Sequence, residues 1–278
     1  MTDELGQRIK SQYEDRTRYF IPRRTYTICR LDGKAFHAYT KGLNKPFDDA
    51  LSSDIDNAII AMLPQIQGAV FAYTQSDEIS VLLCDFATPN TSAWFDGNIQ
   101  KMASVSASII TAEFNRLRCK RWSSLEFDFP STANPPYSLD TIINKQDELS
   151  YFDSRIFSIP DRTEVMNYFI WRGNDCSRNS VSMVAQSLFS HTQLQGKSTP
   201  QMQEMMFKEH NVNWATYDQA KKNGRLIVKE EYTIKAGESE GTEFAMFIDT
   251  QRNIWVSKPA WKFTEDKEKL LEMIPTYV

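Results

Sequence analysis

Long apolar runs are missing from this 278-residue sequence: no stretch approaches the roughly eighteen residues needed to cross a bilayer. The opening MTDELGQRIK also lacks the apolar core of a secretion signal, so a cytoplasmic location is the expectation. Cysteine is scarce. Cys29, Cys84, Cys119 and Cys176 are widely spaced with no CxxC pair, which argues against a zinc site or a disulfide framework and for buried free thiols. The three histidines, His37, His191 and His210, show neither HxxxH spacing nor a Ser/His/Asp order, so histidine-bound metals and triad hydrolysis find no support. There is no excess of positive charge either. A net charge of −4 argues against indiscriminate nucleic-acid binding through charge alone, and turns attention to local basic runs. The densest is Arg116, Arg118, Lys120 and Arg121, followed by Arg23-Arg24 and by Lys221, Lys222 and Arg225; each reads equally as a phosphate contact or as a solvated helix end.

What is present is ample apolar material, 41% hydrophobic and 12% aromatic, enough for a packed core. No repeat or low-complexity tract occurs. The main break in composition is PSTANPPYS (Pro130–Ser138), which divides residues 1–135 from 136–278. Before it, TYTICRL (Thr25–Leu31) reads as a strand, Ala50–Leu63 as a helix, and AVFAYTQ (Ala69–Gln75) and ISVLLC (Ile79–Cys84) as a hairpin joined by Ser76-Asp77-Glu78. Ile99–Arg118 has the spacing of a long amphipathic helix, and LEFDF (Leu125–Phe129) supplies a candidate fourth strand. The order β-α-β-β-α-β predicts an α+β, ferredoxin-like sheet with helices on one face. Beyond the proline-rich stretch, Arg155–Ile159 reads as a strand, Asp161-x-x-Glu164 opens a helix through Trp171, and a second helix covers Arg178–Ser190. Thr199-Pro200 opens another, and Asn213–Lys222 a last one ending at Gly224. Leu226–Lys235, Thr242–Asp249 and Ile254–Ser257 suggest a small antiparallel sheet.

In such a sheet the first two strands run parallel with the third between them. Asp32, at the end of strand one, is thereby brought beside Asp77 and Glu78 at the hairpin tip. Carboxylates converging at a sheet edge suit Mg²⁺, a hard ion that takes one or two carboxylates, waters and substrate phosphates. A pair of such ions can activate an attacking oxygen and stabilise departing pyrophosphate. The competing reading is that Asp32-Gly33 and Ser76-Asp77 are ordinary turn residues. Gly33 lets an ion or phosphate reach the backbone, the following Lys34–His37 has room to wrap a triphosphate, and Lys45 precedes a helix start.

RLDGKAFHAYTKGLNKPFDDAL (Arg30–Leu51), AYTQSDEISVLL (Ala72–Leu83), and FDSRIFSIP with YFIWRGNDCSRNS (Phe152–Pro160 and Tyr168–Ser180) resemble, in order, the three signature blocks of the tRNA-His guanylyltransferase family. The resemblance implies a polymerase-palm-like catalytic domain, two Mg²⁺ ions, and addition of nucleotides from NTPs to a tRNA 5′ end in the 3′-to-5′ direction. It also implies ATP-dependent activation of 5′-monophosphate ends and a homotetramer. Carried over, Asp32 and Asp77 bind the ions with the Gly33 carbonyl, and Glu78 supports the site. Lys34, Ala35, Phe36, His37 and Ser76 surround the incoming nucleotide, and Lys45 and Lys101 meet its triphosphate. Arg116, Arg118, Lys120, Arg121, Arg178 and Asn179 are candidate RNA contacts. Where dedicated tRNA-His enzymes carry His-Ile-Asn-Asn this chain reads Ser177-Arg178-Asn179-Ser180, and where they carry Lys-Pro-Asn-Asp it reads Lys45-Pro46-Phe47-Asp48. The Arg-Asn-Ser form is similar to the guanylyltransferase-like branch, whose members repair tRNA 5′ ends against a template. Dedicated tRNA-His guanylylation, a nucleotidyl cyclase on the same palm, and a non-catalytic RNA-binding palm are the alternatives. The last two conflict with the third block and with the retention of Asp32, Asp77 and Glu78, respectively.

Overall fold

A computed structural model of the chain describes residues 3–128, 135–234 and 250–277. Six strands form one antiparallel sheet in the order β4-β1-β3-β2-β5-β6: β1 Tyr26–Gly33, β2 Ala69–Gln75, β3 Glu78–Cys84, β4 Phe152–Ile159, β5 Arg225–Ile234 and β6 Thr250–Pro259. The third strand lies between the first two, antiparallel to both, as the split βαβ reading requires. Ten helices accompany the sheet among the described residues: α1 Glu4–Ile9, α2 Phe36–Tyr39, α3 Asp49–Met62, α4 Ile99–Asp128, α5 Leu139–Gln146, α6 Arg162–Leu188, α7 His191–Leu194, α8 Thr199–His210, α9 Gln219–Asn223 and α10 Lys267–Met273.

Strand alternation decides which residues meet which helices. Cys29, Leu31, Val81 and Leu83 face α3 and α4, packing on Ile55, Ile59, Met102, Ile110 and Phe114. Tyr26, Ile28, Phe71, Tyr73 and Leu82 face the other way, onto Val165 and Phe169 of α6 and Leu270 of α10. Each such side chain, fully withdrawn from water, contributes about 1.5–3 kcal/mol of transfer free energy. Both faces of the sheet are therefore covered. The expectation of helices on one face describes only the α3–α4 layer.

The fourth strand is Phe152–Ile159, and Leu125–Asp128 of the expected LEFDF strand is the end of α4. Sequence reading stopped the helix at Arg118 because a charged residue interrupts an apolar stripe. The stripe in fact continues every fourth residue, through Met102, Ser106, Ile110, Phe114, Arg118 and Trp122. Arg118 is tolerated inside it because its Nη1 donates to Asp54 Oδ2 on α3 at 2.8 Å and its guanidinium lies 4.3 Å from the Trp122 ring. A similar polar interruption, RGNDCSRNS, suggested two helices where α6 runs unbroken. Its buried positions Phe169, Arg172, Cys176, Ser180 and Val184 keep helical spacing across the gap.

Instead of forming a separate small sheet, β5 and β6 extend the palm sheet, β5 pairing with β2 through Ala72↔Ile227 and Thr74↔Arg225. Arg225 Nε reaches Asp56 of α3 at 2.7 Å, and Ser257 of β6 donates to the same carboxylate at 2.7 Å. Strands on both sides of the expected boundary near residue 135 thus share one sheet. Most of the proline-rich segment, and the expected strand at Thr242–Asp249, lie outside the described residues. The expected helix at Asn213–Lys222 is a 3₁₀ turn, Trp214–Thr216, followed by α9. Gly224 closes α9 at φ +80°, where a Cβ would stand 2.7 Å from both the Thr74 carbonyl oxygen and the Tyr73 hydroxyl. Helix α8 is capped by Ser198, with Gln201 answering it, so Thr199 is already its first residue. Cys29, Cys84 and Cys176 are buried thiols, whereas Cys119 is exposed.

Candidate active site

Asp32 is carried on β1, where it stands opposite Asp153 of β4. Asp77 belongs to a two-residue turn closed by the Gln75↔Glu78 rung of β2 and β3, with Ser76 adopting the positive φ (50°) that such a turn demands. The β1–β3 register, Leu31↔Ile79, places the hairpin tip beside the end of β1. Gly33 makes the approach possible. A Cβ there would lie 2.8 Å from Asp77 Oδ2 and 2.2 Å from the Phe36 ring. The absent side chain is thus filled by the second carboxylate and by the aromatic that roofs the core.

The two carboxylates are short of compensating charge. Burial, reinforced by Asp32 and Glu78, pushes the Asp77 carboxyl up to about 6, although hydrogen bonds from Ser76 and from its own backbone pull the other way. Asp32 is raised by burial and by Glu78 and Asp153, with Arg30 and Arg155 offsetting part of the rise. Two half-buried carboxylates beside a glycine that carries no side chain are hard-oxygen donors of the kind Mg²⁺ takes. Glu78 is not part of that set. Both its oxygens are occupied, by Arg172 Nε at 2.5 Å, Arg172 Nη2 at 2.6 Å and Arg30 Nη2 at 2.6 Å. Among the described residues no group of three or more carboxylate, histidine or cysteine side chains is arranged around a common point.

Two adjoining cavities, of about 380 and 360 Å³, meet at Asp77 and share Asp48, Leu51, Ser76, Met183 and Gln186. The smaller is bounded by Phe36, His37 and Lys45, the larger by Asp32, Gln75, Asn179 and Arg225. The loop carrying Lys45 is anchored by Asp48, the buried N-cap of α3. Its carboxylate accepts from Leu51 N at 2.8 Å, Asn44 N at 3.1 Å and the Tyr137 hydroxyl at 2.7 Å. Of the expected nucleotide residues, the structure gathers Phe36, His37, Lys45 and Ser76 at Asp77. Phe36 does so as a core residue, its ring 5.1–5.8 Å from those of Tyr39, Phe152 and Phe114. Lys34 and Ala35 are exposed on the turn preceding α2, outside both cavity walls. Lys101 stands apart. Thr111 of α4 reaches the Asp32 end of the sheet through Phe152 N, and Lys101 lies ten residues earlier, about 15 Å back along the helix, over Phe95.

The basic runs are largely neutralised within the chain. Arg118 is 2% exposed and held by Asp54, so it is corrected from a phosphate contact to a core residue. Arg121 forks onto Asp54 with Nε at 2.7 Å and Nη2 at 2.6 Å, and the exposed Arg116 pairs with Glu113, which leaves Lys120 as the cation of the run with no carboxylate partner among the described residues. Arg23 is held by Asp85, Lys221 by Asp49 and Arg225 by Asp56. Arg178 is exposed and pairs with Asp175, while Asn179 borders the larger cavity. Sequence reasoning missed Arg172, Arg30, Gln75 and Met183. Arg30 and Arg172 stand inside the quoted blocks, two residues before Asp32 and directly after Trp171, and their chemistry was legible only once Glu78 was known to be buried.

The family model for Thg1, tRNAHis guanylyltransferase, matches residues 6–160, more than half of the chain. The tRNA(His) guanylyltransferase of Debaryomyces hansenii is 26% identical over 260 residues, covering 87% of this chain and 89% of that protein. A bacterial tRNA(His) guanylyltransferase (Thg1)-like protein solved in complex with ATP is 34% identical, with a TM-score of 0.78 over 98% of this chain and 99% of that one. The structure of such a protein in complex with GTP gives 32% identity and a TM-score of 0.72 over 99% and 100%. The Saccharomyces cerevisiae enzyme, at 24% identity and a TM-score of 0.61 over 79% and 91%, shares the fold. With a palm-like sheet presenting Asp32 and Asp77 beside two cavities, this chain is a nucleotidyltransferase and belongs to the tRNAHis guanylyltransferase family.

Proposed function

We propose that the chain adds nucleotides, templated by the opposite strand, to the 5′ end of tRNA in the 3′-to-5′ direction, restoring ends that have lost a nucleotide. The observation that carries this reading is that Asp77 borders both cavities, so one carboxylate edge serves two adjacent substrate compartments. Binding of ATP and of GTP by bacterial Thg1-like relatives supports nucleoside triphosphates as the occupants.

In the first step an oxygen of the RNA 5′-monophosphate attacks the α-phosphorus of ATP, and pyrophosphate leaves. In the second, the 3′-hydroxyl of the incoming NTP attacks the RNA 5′ α-phosphorus and AMP leaves; an end already triphosphorylated skips activation. Mg²⁺, held by Asp32, Asp77 and the Gly33 carbonyl, would supply the positive charge that steadies the triphosphate and lowers the pKa of the attacking hydroxyl. The chain's own part is orientation. Ser76 and Asp77 are fixed by the hairpin turn, Glu78 behind them by Arg172 and Arg30, and Lys45 by the Asp48 cap, so charges aimed at the phosphates are in place before substrate arrives.

Where a dedicated enzyme carries histidine, Ser177 donates to the Gly173 carbonyl of its own helix at 3.3 Å, and Ser180 accepts from Trp214 Nε1 at 2.9 Å. Both side chains are engaged within the chain, which supports selection of the nucleotide by base pairing rather than by recognition of tRNA-His. The test offers purified protein, Mg²⁺ and all four labelled NTPs to truncated tRNAs presenting C, A, U or G opposite the vacancy, with full-length tRNA-His as comparison. Addition of the complementary base to several tRNAs is expected. Addition of G whatever the opposing base, confined to tRNA-His, overturns the templated reading.

A further inference from the structure

Trp171 lines neither cavity and belongs to no core cluster, yet it stands next to the catalytic edge. It is 50% exposed on α6, with its ring 4.4 Å from the Arg172 guanidinium, 5.8 Å from that of Arg30 and 5.9 Å from the Tyr168 ring. Arg30 and Asp32 are two residues apart on β1, so both point to the α6 face, separated along the strand by about 6–7 Å. Across the sheet Arg30 pairs with Arg155 of β4, whose side chain is 61% exposed and has only a long contact, 3.8 Å, to the exposed Asp153. A half-exposed indole and an exposed, loosely paired guanidinium therefore stand near Asp32, and neither lines the cavities that Asp77 borders.

A half-exposed indole between arginines adds little to stability, but it matches the way proteins hold unpaired nucleic-acid ends. Bases stack on aromatic faces whatever their identity, and guanidinium groups take the phosphates. We propose that Trp171 is the stacking platform for the 5′-terminal base of the RNA acceptor, with Arg155 turned to its phosphates and Arg30, held on Glu78, bracketing the indole from behind. The occupant is an RNA end rather than a protein because the indole is bracketed by the Arg172 and Arg30 guanidiniums, with Arg155 exposed across the sheet, and lies next to carboxylates that act on a 5′ phosphate. This inference rests on the function proposed above. It assigns the acceptor to the β4 side of Asp32 and leaves the cavities to nucleotide.

The test uses the full chain with Trp171→Leu, which keeps an apolar side chain but removes the π face, and Trp171→Phe, which restores a smaller one. The RNA is a tRNA lacking its first nucleotide, with 2-aminopurine as the terminal base. Wild-type protein is expected to quench 2-aminopurine on binding, Trp171→Leu to lose the quench and raise the KM for RNA about tenfold or more with the KM for NTP unchanged, and Trp171→Phe to recover most of both. Unchanged quenching and RNA KM in Trp171→Leu, while wild type adds nucleotides, overturn the platform and leave the proposed function standing. Quenching by wild type without nucleotide addition to any RNA removes the proposed reaction and keeps the platform. A change in molecular mass by light scattering on Trp171→Leu makes this surface a contact between copies of the chain and overturns the inference.

Discussion

Arg172 holds both carboxylate oxygens of Glu78, Nε at 2.5 Å and Nη2 at 2.6 Å, and so ties α6 to the first residue of β3, immediately after Asp77. Arg172 is 4% exposed and Glu78 8%, so removing either leaves a buried charge with only part of its compensation, Arg30 for Glu78 and Asp175 for Arg172. Arg172→Met should lower unfolding free energy by about 3 kcal/mol, because Arg30 alone then faces Glu78. It should also raise the Mg²⁺ concentration needed for half-maximal activity, since the turn that carries Asp77 is no longer pinned. Arg172→Lys keeps the charge but not the fork and should fall between. A Mg²⁺ titration of both variants beside urea unfolding decides the matter; a loss of stability with an unshifted Mg²⁺ requirement would confine Arg172 to folding.

Replacing Asp32 or Asp77 by alanine should reduce nucleotide addition more than about 10³-fold, roughly 4 kcal/mol of barrier, while the fold persists. The check is a single-turnover assay with circular dichroism on each variant. Near-normal rates in a folded variant would remove the carboxylate pair from the reaction.

The elevated pKa of Asp77 has a defined effect on metal-free stability. The unfolded carboxyl titrates near 3.8 and the folded one near 6, so between these values the folded protein holds more protons and stability falls as pH rises. Asp77→Asn escapes this fall. Relative to wild type it should gain up to about 3 kcal/mol between pH 4 and pH 7, measured by urea unfolding in EDTA. Mg²⁺ should reverse the order above pH 6 by stabilising only wild type, with its affinity weakening as pH drops through about 6. Parallel pH profiles for the two proteins would contradict the assignment.

Within the 116–121 run, Lys120 and Arg118 should separate cleanly. Lys120→Ala is expected to lower RNA affinity and reduce its salt dependence by up to about one unit of slope if it meets a phosphate. Arg118→Ala strands Asp54 with Arg121 alone and should cost about 3 kcal/mol of stability with the salt slope unaltered. Filter binding across a salt series, paired with thermal melts, reads both. A salt-slope change in Arg118→Ala with an unchanged melt would contradict the burial of this guanidinium.

The strands and the meeting of Asp32 with Asp77 were legible because both follow from period-two alternation and from the order of elements. The continuity of α4 and α6 was not, since each crosses a polar stretch whose charged residue is buried against a partner far away in sequence, Arg118 on Asp54 and Arg172 on Glu78. Pairing of β5 with β2 was hidden for the same reason: Thr74↔Arg225 is a contact between distant segments, and local pattern does not choose the neighbour of an edge strand. Lys101 was placed by the family resemblance, outside the three blocks that carry it, and helix rise alone sets it about 15 Å from where α4 meets the Asp32 end of the sheet.

The rungs from Tyr26↔Cys84 to Leu31↔Ile79 set the separation of the two carboxylates as a ruler does, independently of the loops between them. An insertion within Gln65–Gly68 should therefore leave that separation unchanged, since it lengthens only the path between the strands. One residue removed from the middle of β3 would turn its remaining side chains to the opposite face and slide the hairpin tip past the end of β1. In the history of such a chain, length is free to drift between these strands, and parity within them is not.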